Sequence, residues 1–168
     1  QTKPSLENAH AVIFAGNHGI CAQGVNPFPQ TVTAQMVANF TSGGAAINQL
    51  CKASGADLRV VALSLDTPTA DFTEKEALSE DELCAAMTAG AQAVNPSADI
   101  ILLGEMGIGN STVSAALAAS VFGGDVGLWV GAGTGSDEAG IAHKEAVIES
   151  GLRKHGARTD LRALLAFG

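Results

Sequence analysis

The chain has 168 residues, a length that predicts one domain with a buried core. Aromatic residues make up only 4% of it against 46% hydrophobic residues, so the core must consist mainly of small aliphatic side chains. The net charge of −8 argues against nucleic acid or an anionic membrane as a partner. No apolar run approaches the roughly 20 residues that span a bilayer.

The cysteines and the chain ends carry further expectations. Cys21, Cys51 and Cys84 are odd in number and far apart, which indicates free thiols in a reducing cytoplasm and no metal site. No signal peptide is recognisable. Because Gln1 is not a natural start and Gly168 directly follows an apolar stretch, we expect a processed or excised chain.

The first hundred residues predict strands and helices in alternation. The segments are a strand at Ala11–Ala15, helices at Thr31–Phe40 and Ala45–Ala53, a strand at Leu58–Leu63, a helix at Ser79–Val94 and a strand at Ala98–Leu103. The first strand runs into a turn that contains His18. Since open α/β sheets bind ligands at this end of their strands, His18 is either a hydrogen-bonded structural residue or part of a ligand site.

A stiff loop with two prolines precedes the first helix. Within it, Phe28 either fills the local core or forms one wall of a pocket. Thr31 or Thr33 can cap the helix, and Gln35 falls in its first turns, close to the loop.

The strand at Ala98–Leu103 leads into a glycine-rich turn. The turn and the start of the next helix comprise Gly104, Gly107, Gly109, Asn110, Ser111 and Thr112. Free N–H groups and the positive end of the helix dipole suit this arrangement to a phosphate. Glu105 is unexpected there, because a carboxylate opposes an anion. It either caps the turn and faces solvent, or it handles a proton or orients a ligand.

A second glycine turn follows in the last third of the chain. Val126–Val130 predicts a fourth strand that ends in Gly131–Ser136, followed by helices at Asp137–Lys154 and Leu161–Phe167. This alternation predicts a three-layer α/β fold, with a mostly parallel sheet and helices on both faces. His18, Glu105 and Thr134 would then converge at the carboxyl edge of the sheet.

The glycine turns lack the familiar nucleotide signatures. GxxxxGK[ST] and GxSxG are absent, and both turns lack the third glycine of GxGxxG, so the expected fold is Rossmann-like without a dinucleotide fingerprint. Two such turns in one parallel sheet, with Lys144 on the helix after the second, favour a bound phosphate.

Several long motifs resemble those of the nicotinate-nucleotide–dimethylbenzimidazole phosphoribosyltransferase family. They are FAGNHGI (Phe14–Ile20), NPFPQTVTAQMVANF (Asn26–Phe40), GGAAIN (Gly43–Asn48), GEMGIGNST (Gly104–Thr112) and GAGTGSD (Gly131–Asp137) with Lys144. The resemblance implies transfer of phosphoribose from nicotinate mononucleotide to 5,6-dimethylbenzimidazole, in cobalamin lower-ligand synthesis. It implies no cofactor, no metal and a homodimer.

The resemblance also implies roles for particular residues. The implied phosphate and nucleotide site comprises Gly104, Gly107, Ile108, Gly109, Asn110, Ser111, Gly133, Thr134 and Lys144. The implied benzimidazole pocket comprises His18, Pro27, Phe28 and Gln35. Glu105 matches a family glutamate that could assist proton removal from the base.

The chain departs from the family pattern at several places. Asn17 and Ala132 stand where many members have Asp and Arg, and Lys3-Pro4-Ser5 is not the family's KPxGSLG motif. The main general base of the family lies in a GEGTGA-like stretch, which we expect beyond Gly168. Residues 1–168 are therefore expected to be a truncated large domain. The alternatives are an impaired fragment that only binds nucleotide or serves as a scaffold, and an unrelated phosphosugar-binding domain.

Overall fold

The protein is built on a three-stranded parallel sheet with the strand order β2-β1-β3. The computed structural model describes residues 5–168. The strands are β1 (Ala9–Gly16), β2 (Asp57–Leu63) and β3 (Ile100–Met106). In this register Ile13 of the central strand lies opposite Val60 on one side and Gly104 on the other. The parallel sheet confirms the predicted α/β class, and all three carboxyl ends meet at one edge.

Six α-helices lie within residues 5–168. They are α1 (Thr31–Ser42), α2 (Ala46–Ser54), α3 (Glu80–Ala93), α4 (Asn110–Phe122), α5 (Glu138–His155) and α6 (Leu161–Phe167). Each confirms a helix predicted from the sequence. None of the described helices is long and apolar enough to cross a membrane. Lys3 and Pro4, where the sequence departs from the KPxGSLG motif, lie outside the described residues.

Helices pack on both faces of the sheet. On one face Ile13 packs with Phe40 of α1 and with Ala45, next to α2, and partly buried β2 side chains join this cluster. Arg59 points to the opposite face, where its guanidinium donates to the carbonyls of Gln92 and Ala93 near the end of α3, at 3.1 and 3.4 Å. The three-layer arrangement follows from the alternation of side chains along each strand.

A second core lies among the last three helices. Phe72 and Phe167 meet edge to face with their ring centroids 5.4 Å apart, and Ile148 of α5 is fully buried in the same cluster. Helix α5 approaches these rings at Gly151, where a β-carbon would lie 2.6 Å from the Phe72 ring. Burial of each large side chain contributes about 1.5–3 kcal/mol.

The predicted fourth strand at Val126–Val130 is wrong. The segment forms a short 3-10 helix, Val126–Leu128. The carboxylate of Asp125 accepts a hydrogen bond from the N–H of Gly127 at 2.8 Å, and the N–H of Trp129 donates to the carbonyl of Val126. These local bonds satisfy the backbone without a sheet partner. Strand β3 therefore remains an edge of the described sheet, with Leu103 76% exposed.

Candidate functional site

The turn after β3 begins later than the sequence predicted. Gly104 and Glu105 belong to β3, where they pair with Ile13 and Phe14 of β1. The expectation that they lie in the turn is wrong, because the ladder with β1 continues to Met106. Glu105 is therefore exposed at the carboxyl end of a strand, which removes the conflict between its charge and an anion inside the turn.

Residues far away in sequence hold the backbone of the turn. The N–H of Ile108 donates to the Thr33 hydroxyl at 3.1 Å, and the Cys21 thiol donates to the Ile108 carbonyl at 3.2 Å. Thr33 is thus not a helix cap; α1 has Gln30 at that position, without a side-chain capping bond. Because the Ile108 N–H already has a partner, Ile108 supports the turn and offers no free donor to a ligand.

Helix α4 starts directly after the turn with unpaired backbone donors. Gly109, its N-cap residue, has a φ of +98°, a value that favours glycine. Within the described residues, the N–H groups of Gly109 and Ser111 have no acceptor. Such donors, together with the positive end of the helix dipole, suit an anion.

The Lys144 ammonium is buried near the Ser111 side chain, at the start of α4. Lys144 is 2% exposed and forms no salt bridge within residues 5–168. Among the described residues, its Nζ reaches the carbonyls of Gly131 and Ala132, both at 3.4 Å. Burial lowers the pKa of Lys144 from its ordinary value of 10.5. A buried cation without a counter-ion is costly, so the site is electrostatically prepared for an anion.

Gly133 brings the two glycine-rich segments together. A β-carbon at Gly133 would lie 3.2 Å from the Nζ of Lys144 and 2.8 Å from the hydroxyl of Ser111, and its φ is +56°. The second turn, the start of α4 and the middle of α5 therefore meet at one point. Thr134, the next residue, is exposed. This convergence occurs although the second turn follows a 3-10 helix instead of a strand.

His18 and Glu105 also come together, through Asn110. The Nε2 of His18 lies 2.7 Å from the Oδ1 of Asn110, and the Nδ2 of Asn110 donates to the Oε2 of Glu105. The His18 ring packs beneath the turn, next to Gly109. This contact favours the first interpretation of His18, a hydrogen-bonded structural residue.

The segment expected to hold the benzimidazole lies beside His18. Phe28 is 47% exposed, so the interpretation that it fills the local core is wrong. Pro27 and Gln35 are exposed as well. The Gln30 side chain donates to the carbonyl of His18 at 2.6 Å and ties this segment to the turn after β1. The pocket wall formed by Phe28 stays a prediction.

Sequence reasoning missed the roles of Thr33, Cys21 and Asn110. A role for Thr33 could have been inferred from the sequence, because it is a polar residue on the apolar face of a predicted helix. The sequence does not reveal that Cys21 bonds to Ile108, 87 residues away, or that Asn110 bonds to His18, 92 residues away.

The fold and the site together define an α/β protein with a candidate anion site between two glycine-rich segments. Residues 1–168 match the family model DBI_PRT, described as phosphoribosyltransferase. The chain belongs to this phosphoribosyltransferase family.

Curated relatives and solved structures agree with this assignment. The nicotinate-nucleotide–dimethylbenzimidazole phosphoribosyltransferases of Rhodobacter capsulatus and Ruegeria pomeroyi are 57% and 52% identical to the chain, over 99% of its length. The chain spans about half of each relative, 50% and 49%. The crystal structure of CobT from Thermus thermophilus superposes with a TM-score of 0.90 at 33% identity, covering 99% of this chain and 56% of that one.

Proposed function

We propose that the protein containing this chain transfers phosphoribose from nicotinate mononucleotide to 5,6-dimethylbenzimidazole, releasing nicotinate and forming α-ribazole phosphate. The observation that carries the proposal is the buried Lys144 ammonium, which has no counter-ion within residues 5–168 and lies near the Ser111 side chain at the start of α4. A ribose phosphate supplies the missing negative charge. The proposed reaction is the one for which the curated relatives are named.

The reaction needs one new bond and one proton acceptor. A benzimidazole nitrogen donates its lone pair to C1′ of the ribose, and the bond from C1′ to the pyridinium nitrogen of nicotinate breaks. That bond's electron pair stays on nicotinate, and attack from the opposite side inverts C1′. The proton on the second benzimidazole nitrogen must then leave. Glu105, an exposed carboxylate at the sheet edge, is the residue of this chain that we assign to assist its removal.

The substrates are assigned to two neighbouring regions of the site. We assign the phosphate to the N–H groups of Gly109 and Ser111, to the second turn at Gly133 and Thr134, and to Lys144. The benzimidazole, a flat apolar ring, is assigned to the exposed loop of Pro27 and Phe28, with Gln35 behind it. Gly107 lets the turn approach the nucleotide.

The domain, the oligomeric state, the location and the pathway of the enzyme are part of the same proposal. We assign the described residues to one α/β domain, part of the larger domain of a homodimeric enzyme. The free thiols of Cys21, Cys51 and Cys84 agree with a cytoplasmic location. The reaction belongs to cobalamin lower-ligand synthesis.

Release of nicotinate from nicotinate mononucleotide and 5,6-dimethylbenzimidazole tests the proposal. We expect turnover by the protein and, in Glu105→Gln, a kcat lower by roughly 10²-fold, the lower range for general-base catalysis. Glu74→Gln is the matched control, because Glu74 is an exposed glutamate far along the chain from the site motifs. Binding of the mononucleotide without release of nicotinate would contradict the proposal and leave a nucleotide-binding module.

A further inference from the structure

Glu105 is held in place by a neutral side chain. Its Oε2 accepts a hydrogen bond from the Nδ2 of Asn110, the first residue of α4. Within residues 5–168 Glu105 forms no salt bridge. An exposed glutamate otherwise rotates freely, so this hydrogen bond orders the carboxylate before a substrate arrives.

The carboxylate in turn decides how the Asn110 amide is oriented. An amide has a donating end and an accepting end, whereas an ionised carboxylate only accepts. Nδ2 therefore faces Glu105, and Oδ1 faces His18, whose Nε2 is 2.7 Å away. Since Oδ1 cannot donate, Nε2 of His18 must carry the proton of this hydrogen bond.

The surroundings of His18 favour the same tautomer. Its Nδ1 is buried and has no hydrogen-bond partner in the part of the chain that the structure describes, so a proton there would be an unpaired buried donor. Burial also lowers the pKa of His18 from its ordinary value of 6.5, which keeps the ring neutral. The His18 backbone is fixed, because its carbonyl accepts from the Gln30 side chain at 2.6 Å and from the Cys21 N–H at 3.2 Å.

The glycines of the turn leave room for this chain of hydrogen bonds. A β-carbon at Gly107 would collide with the Oδ1 of Asn110 and with the carbonyl of Gly16. A β-carbon at Gly109 would lie 3.6 Å from the Cβ of His18 and 2.8 Å from the Cys21 sulfur. The glycines are thus needed by the hydrogen-bond chain as well as by a ligand.

We infer that His18 is a positioning residue that acts through Asn110 to hold the Glu105 carboxylate in one orientation, with its second oxygen free for the substrate. This role is separate from the expected contact between His18 and benzimidazole, which stays a prediction. The catalytic consequence rests on the proposed function, whereas the chain of hydrogen bonds does not depend on it.

NMR of the ligand-free protein tests the hydrogen-bond chain directly. The imidazole ¹⁵N shifts of His18 are expected to show a proton on Nε2 and none on Nδ1. Side-chain ¹³C relaxation is expected to show Glu105 more restricted than Glu74, an exposed glutamate of the same chain. In His18→Leu the mobility of Glu105 should rise to that of Glu74, and in His18→Gln, which keeps a donor, it should stay low. A proton on Nδ1, or equal mobility of Glu105 in the wild type and His18→Leu, would overturn the inference.

A double-mutant cycle in the nicotinate-release assay tests the catalytic consequence. We expect His18→Leu to lower kcat by roughly tenfold to hundredfold, with an unchanged KM for nicotinate mononucleotide, and His18→Gln to recover most of the rate. In the Glu105→Gln background, His18→Leu should have no further effect, since no carboxylate remains to be positioned. If the effects of His18→Leu and Glu105→Gln on kcat multiply, His18 does not act through Glu105. If no protein of the series releases nicotinate, the proposed function fails, and the NMR result alone decides on His18.

Discussion

Replacing Lys144 with methionine separates binding from folding at the anion site. Lys144→Met removes the ammonium and keeps an unbranched apolar chain in a site where Lys144 is 2% exposed. The ligand-free protein then no longer buries a charge that has no counter-ion among residues 5–168. We expect the Tm of the ligand-free variant to equal or exceed that of the wild type, while affinity for nicotinate mononucleotide falls.

The size of the loss follows from the donors that remain. A hydrogen bond to a charged group contributes about 1.5–3 kcal/mol, and each 1.4 kcal/mol changes the dissociation constant about tenfold. The N–H groups of Gly109 and Ser111 and the dipole of α4 stay in place in the variant. The Kd should therefore rise by roughly 10- to 100-fold, and binding should not vanish.

The pH dependence gives an independent check with a defined sign. Because the folded pKa of Lys144 is lowered, the unfolded chain binds this proton more tightly. Stability of the wild type relative to Lys144→Met should rise with pH between the lowered pKa and 10.5. Affinity for the mononucleotide should fall over the same window, because the ligand needs the ammonium.

The prediction is tested on the wild type, Lys144→Met and Lys154→Met. Titration calorimetry measures their affinity for nicotinate mononucleotide, and thermal unfolding measures their Tm. Lys154→Met is the matched control, because Lys154 lies exposed at the end of the same helix. We expect its affinity to match that of the wild type. Wild-type affinity in Lys144→Met would refute the assignment of Lys144 to the phosphate. An equal loss of affinity in Lys154→Met would show that the loss comes from net charge in general.

Two further substitutions test the packing that supports the site. Thr33→Val leaves the buried N–H of Ile108 without its acceptor, so it should destabilise the fold by about 1–3 kcal/mol and weaken mononucleotide binding. Thr33→Ser keeps the hydroxyl and should have smaller effects on both. Equal Tm values for Thr33→Val and the wild type would contradict this prediction. Gly151→Ala should lower the free energy of unfolding by about 1–2 kcal/mol, because its β-carbon would lie 2.6 Å from the Phe72 ring. The control Gly90→Ala, with nothing within 4 Å, should be neutral or stabilising, and denaturant unfolding compares the two.

Elements with strong local patterns could be predicted from the sequence. The helix α3 is an example: Ser79 and Glu82 form a capping box, with the Glu82 carboxylate 2.7 Å from the Ser79 N–H. The three strands are short apolar runs, and the glycine-rich segments mark the turns. The sequence points to Lys144 because this residue follows the second glycine-rich segment on a helix, and the structure brings it next to Ser111.

Features set by distant neighbours could not be predicted in this way. Glu105 belongs to a strand because β1 continues to pair with it, and residue spacing does not reveal how far a ladder extends. The segment after Asp125 has strand-like residues, but a single carboxylate closes a 3-10 turn there. Thr33 faces Ile108, 75 residues away, and no local rule connects the two.

The attachment of α1 to the glycine turn also bears on how the family can diversify. Thr33, which anchors the turn, and Gln35, assigned to the base pocket, are two residues apart on one rigid helix. A substitution that shifts this helix to accept another base would also disturb the turn assigned to phosphate. The exposed side chains of Pro27 and Phe28 make no such hydrogen bond to the turn. We therefore expect changes in base preference to accumulate in that loop, while α1 stays invariant in position.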